Sequence, residues 1–237
     1  MHSNDTGFYG RWILANGQAE AAGLGTTFVA GRLVAPHLEQ VTGVAATLGG
    51  AFAAVLLGTL LEGVLVGLLQ ERVLRQRLTG LRRGAWILAT AAGAGLAWLL
   101  GMVPSTVMEL ASTASPGPAP EEPGALVQYG LAMGLGFVAG PILGLAQWTV
   151  LRGLVSGAGR WLWANALAWA VGMPLIFIGM DLVPWAGPFA LVALALYLVC
   201  GVTGLVVGAI HGRVLVRLLS PRHIRLLAHQ SHGGRRG

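Results

Sequence analysis

The sequence contains no lysine, a single cysteine and little charge of either sign. Each shortage excludes something. Charged residues make up 10% of the 237 positions, against 55% apolar ones. That balance does not suit a soluble fold, because lipid accommodates so much apolar surface and water does not. Mean hydropathy is +0.70, in agreement. With Cys200 alone, an intramolecular disulfide and a cysteine-based metal site are both excluded. Cys200 stands in an apolar run and reads as a packing residue. Also missing are a Gly-x-Ser-x-Gly elbow, a phosphate-binding loop and a His-Glu-x-x-His pair. No catalytic residue, enzymatic activity, metal or cofactor is therefore expected. Residues 1–10 are polar and show no signal-peptide pattern.

Arginine supplies all of the basic charge, giving a formal net charge of +6. The arginines do not form one soluble basic face, which argues against a nucleic-acid partner. They lie between apolar runs, where membrane proteins carry their cytoplasmic positive charge. The runs cover about 12–34, 41–69, 85–107, 125–151, 161–183 and 188–219. Most exceed the roughly 20 residues that span a bilayer as a helix, and they lack the two-residue alternation of barrel strands. Pro174 is expected to kink the fifth. Residues 112–124, with Pro116, Pro118, Pro120 and Pro123, read as an extended loop. Six spans put both termini on one side. Every arginine except Arg32 falls on that side, so the termini are expected in the cytoplasm and the protein in a plasma (inner) membrane.

Three hairpins of one design recur, at about 11–78, 84–155 and 160–219, followed by a basic tail at 221–237. In the even-numbered helices, Gly63-x-x-x-Gly67-x-x-Gln70 matches Gly140-x-x-x-Gly144-x-x-Gln147 and Gly204-x-x-x-Gly208-x-x-His211. Val73-Leu74, Val150-Leu151 and Val214-Leu215 follow at one offset. In the odd-numbered helices, Trp12, Trp86 and Trp161 precede Asn16, Thr90 and Asn165 by four residues. The expected fold is thus an all-α integral membrane domain over 1–220, with six transmembrane helices as three hairpins in pseudo-three-fold symmetry. Glycines spaced by four let another backbone approach closely. Asn16, Gln70, Thr90, Gln147, Asn165 and His211 then form an interhelical polar ring near the cytoplasmic boundary. It reads as helix glue, with a gate or solute site as the rival.

Gln147, Trp148, Leu151 and Arg152 with Trp161, Ala164 and Asn165 carry a resemblance. The chain resembles a family of uncharacterised multi-pass bacterial membrane proteins in which Gln-Trp-x-x-Leu-Arg closes one helix and Trp-x-x-Ala-Asn opens the next. The third copy departs, with His211 for Gln and Val216 at the Arg position. The resemblance implies family membership and no activity.

Glu20 and Glu62 are carboxylates inside apolar runs, which are costly there and often functional. In an antiparallel first hairpin they fall about one turn apart, able to share a proton or hold a cation. The bland alternative is that both merely mark a bundle interior. Arg32 and His37, close to Glu39, suggest an interfacial ion pair. The tryptophans read mainly as an interfacial belt. Arg213, Arg217, Arg222 and Arg225 among apolar residues suggest contact with anionic lipid or a partner protein. The leading functional expectation is a non-catalytic accessory, scaffold or partner-binding subunit, with other membrane subunits and the bilayer as partners. The alternative is a small-solute transporter or substrate-binding membrane subunit using Glu20 and Glu62.

Overall fold

The computed structural model describes residues 3–38, 43–114 and 123–220. Its regular structure is helical throughout, with no strand among the described residues. We number the rods in chain order. Rod α1 covers residues 3–38, as Ser3–Glu20, a π-helical turn at Ala21–Gly25, and Thr26–Leu38. Rod α2 is Val44–Leu74, with a π-helical turn at Gly58–Gly63. Then come α3 (Ala85–Ala114), α4 (Ala125–Leu151), α5 (Arg160–Asp181) and α6 (Phe189–Leu218).

Rods α2 to α6 are long and apolar enough to cross a membrane. Rod α1 is not among them, and it carries Arg11, Asn16, Gln18, Glu20 and Arg32. Outward-facing side chains support a lipid surround: Leu88, Leu131, Trp163 and Leu198 are all exposed. A soluble protein rarely leaves so much contiguous apolar surface in water.

Pro174 lies inside α5, which stays one α-helical stretch from end to end. The interruptions are the two π turns in α1 and α2, at glycine-containing segments Ala-Ala-Gly-Leu-Gly and Gly-Thr-Leu-Leu-Glu-Gly. A π turn inserts one extra residue and re-aims the side chains around it, a device common at functional sites.

Each rod packs on its chain neighbours, and α6 packs on α1, so the six close into a ring. Three glycine-bearing faces each lie against a neighbouring rod. A Cβ on Gly67 would sit 2.7 Å from Ile87 Cα, on Gly144 3.2 Å from Leu162 Cα, and on Gly208 3.2 Å from Ile13 Cα. Ile13, Ile87 and Leu162 each follow a tryptophan. A side chain at Gly67 or Gly208 would force these helices apart, and one at Gly144 would crowd its neighbour. Two of these pairs, α2/α3 and α4/α5, are joined by short turns. The third, α6/α1, brings together the two ends of the chain.

Beneath the seams, at the arginine-bearing end, lies the main core. Trp12, Trp86 and Trp161 are fully buried with Leu74, Leu151 and Leu215. The Trp161 ring centroid lies 6.1 Å from those of Trp12 and Trp86, and 5.1 Å from the His211 ring.

Candidate functional site

Two polar layers cross the bundle. The outer one sits at the arginine-bearing end. A buried indole N–H needs an acceptor, and each buried tryptophan finds it on the rod preceding it in the ring. Trp86 Nε1 donates to Gln70 Oε1 at 2.9 Å, and Trp161 Nε1 to Gln147 Oε1 at 2.8 Å. Trp12 Nε1 donates to His211 Nδ1 at 3.0 Å. As an acceptor at Nδ1, His211 carries its own proton on Nε2. Asn16, Thr90 and Asn165 each donate back to the carbonyl of their tryptophan, at 2.7, 2.8 and 2.9 Å.

The amides then link rods. Gln70 Nε2 donates to Asn16 Oδ1 at 2.8 Å, and Gln147 Nε2 to Thr90 Oγ1 at 3.0 Å and Gln70 Oε1 at 3.1 Å. All six residues expected in the polar ring are buried. The third link differs: among the described residues no hydrogen bond joins Asn165 and His211, whose Nδ1 accepts from Trp12. The tryptophans need correction. Trp12, Trp86 and Trp161 are core donors rather than belt residues, while Trp163 is 64% exposed. Their fixed position one turn before Asn or Thr was the available signal.

The second layer lies eight residues further along α2, about 12 Å of helix from the amides. There Glu62, on the α2 π turn, is 9% exposed and Glu20, beside the α1 π turn, is 2% exposed. The two π turns touch, and a Cβ on Gly23 would stand 2.6 Å from Glu62 Cα. Glu20 packs on α6, where a Cβ on Gly204 would come within 2.7 Å of its Cγ. The carboxylates are within electrostatic reach of each other. Trp98 Nε1 on α3 donates to Glu62 Oε2 at 2.7 Å. Trp98 was not singled out by sequence reasoning, because one indole among eight carries no positional signal. Glu20 Oε2 and Thr203 Oγ1 are buried with no hydrogen-bond partner.

Glu62 opens onto a cavity of about 290 Å³. Rods α1 to α5 all contribute walls, chiefly Phe28, Trp98, Trp169, Met173 and Phe177. Glu62 is the one charged residue in that lining, and Glu20 is not part of it. No group of three or more His, Cys, Asp or Glu residues suited to a metal occurs among the described residues.

The remaining expected sites lie apart. Arg32 and His37 are exposed on the far half of α1, and the Glu39 of the expected ion pair lies outside the described residues. Arg213 and Arg217 are exposed at the end of α6, whereas Arg222 and Arg225 lie outside the described residues. Sequence reasoning also missed Glu71. It is buried, accepts the Gly84 N–H at 3.0 Å and so fixes the turn between α2 and α3. Gly84 has a φ of 75°, which favours glycine there. Comparison with protein-family models, curated proteins and solved structures finds no match to this chain.

Proposed function

We propose that the chain is a non-catalytic, membrane-embedded binding subunit that holds a small lipophilic solute in the cavity beside Glu62. One observation carries this reading: an aromatic cavity of about 290 Å³ in mid-bundle, with a buried carboxylate at its wall. Ligand sites in proteins are mostly apolar, with few polar groups to fix orientation, and this volume is at the small end of their range. In this proposal α1 is a sixth span. The seams α2/α3, α4/α5 and α6/α1 are then three copies of one contact between successive hairpins about a pseudo-three-fold axis. The arginine-bearing end faces the cytoplasm of a bacterial inner membrane, by the positive-inside rule. The Trp–amide layer closes that end of the bundle. Arg213 and Arg217 meet anionic lipid headgroups there.

A second reading, an accessory scaffold that docks other subunits, is favoured by the tightly closed inner half. The test is co-purification. Wild type and an Ala97→Trp variant, which fills the cavity, are extracted from native membranes, and organic-soluble molecules are identified by mass spectrometry. A species retained by wild type and lost from the variant is expected. Equal recovery from both, with a protein subunit bound to each, would favour the scaffold. Labelling of single cysteines at positions 7 and 31 from opposite sides of the membrane checks the sixth span.

A further inference from the structure

We infer that the cavity selects a lipophilic organic monocation, seated with its ammonium group against Glu62. The inference rests on the binding reading above and names the class of ligand. The walls give two independent reasons. First, Glu62 is the one charged lining residue, and its carboxylate takes a single hydrogen bond, from Trp98 to Oε2. A neutral lipophile would leave this charge-bearing group facing an apolar space at mid-bilayer, where an unpaired polar group is costly. A cation would complete it. Second, among the aliphatic residues of the remaining wall stand four aromatic and two thioether side chains: Phe28, Trp98, Trp169 and Phe177 with Met102 and Met173. Aromatic faces attract alkylammonium groups, most strongly where water is excluded.

A hydrated inorganic ion is a poor match for the same wall. Hard cations take oxygen ligands, and the lining offers them one carboxylate. Glu20 stands behind Glu62, outside the lining, with Oε2 unpartnered. It leaves the space a ligand would fill unoccupied. The π turns explain the placement. They bring α1 and α2 close enough for Gly23 to rest on the Glu62 backbone, and so aim Glu62 into the bundle.

The experiment uses two probes of one shape, benzyltrimethylammonium and its uncharged carbon isostere neopentylbenzene. Full-length protein in nanodiscs is titrated with each at equal membrane-phase concentration. Binding is read by quenching of tryptophan fluorescence and by the shift in melting temperature. The cation is expected to bind at least ten-fold more tightly. Glu62→Gln should remove that preference and leave the neutral probe unchanged. Ala97→Trp should abolish both. Equal binding of the two probes, or a cation affinity untouched by Glu62→Gln, would overturn the cation assignment and leave the cavity reading standing. If neither probe binds, both fall. Should Glu62→Gln fail to give a monodisperse protein, the probe pair on wild type decides alone.

Discussion

Trp161 and Trp163 are two residues apart on α5 and occupy opposite surroundings. The first is fully buried and donates to Gln147 Oε1, while the second is 64% exposed. Trp161→Phe keeps most of the ring volume but leaves Gln147 Oε1 without a donor. An unmet buried acceptor costs about 1–3 kcal/mol, so the variant should melt clearly below wild type in a matched detergent. Trp163→Phe should leave the melting temperature within error. A comparable loss in both would mean that the Trp–amide bond contributes nothing. Residue identity alone did not separate these two indoles. What separates them is phase: Trp161 precedes Asn165 by one turn, on the face that meets α4, and Trp163 points about 160° away from it.

At the scale of the element, the Gly-x-x-x-Gly faces set how the rods meet. A side chain at Gly140 would collide with the Asn165 carbonyl oxygen, whereas Gly134 on the same rod has nothing near it. Gly140→Leu should therefore wedge α4 from α5 and reduce yield and melting temperature, and Gly134→Leu should do neither. The close contacts were legible in sequence, because glycine at a fixed spacing recurs beside a fixed Gln or His. The π turns were not. Nothing in Ala21–Gly25 or Gly58–Gly63 marks an extra residue per turn, since the signal lies in how two rods fit and not in either alone. The same limit hid the Trp98–Glu62 bond, which joins rods with no repeated partner in the other copies. The departing copy gives a further prediction. His211→Gln offers Trp12 the same acceptor and adds an amide N–H that can reach toward Asn165. One such interhelical bond contributes roughly 0.6 kcal/mol in a membrane, so this variant should melt slightly higher than wild type. A drop would show that the imidazole is shaped to its place among the three indoles.

For the whole molecule, the contact between α6 and α1 is what makes a ring out of a row. A Cβ on Gly201 would lie 3.4 Å from the Ala21 Cβ. Disulfides hold these atoms about 3.5–4.5 Å apart, so a slight separation of the two rods suffices. The double variant Ala21→Cys, Gly201→Cys, in a Cys200→Ala background, should therefore cross-link on oxidation and shift on a non-reducing gel. Its absence would place the chain ends apart and open the ring. Sequence read the six runs and their recurrence from hydropathy and spacing. It did not reveal which rod faces which, because every even-numbered rod carries the same glycine face and could in principle take any odd-numbered partner.

The Trp12–His211 bond joins positions 199 residues apart. Rod α1 therefore leaves the ribosome well before α6, the rod it packs against. Until α6 follows, Trp12, Asn16 and Glu20 lack their final neighbours on it. Such a segment needs shelter from the insertion machinery, or stays at the aqueous surface and enters late. Nascent chains halted before residue 189 should therefore leave a cysteine at position 17 open to water-soluble maleimide, and completed chains should shield it.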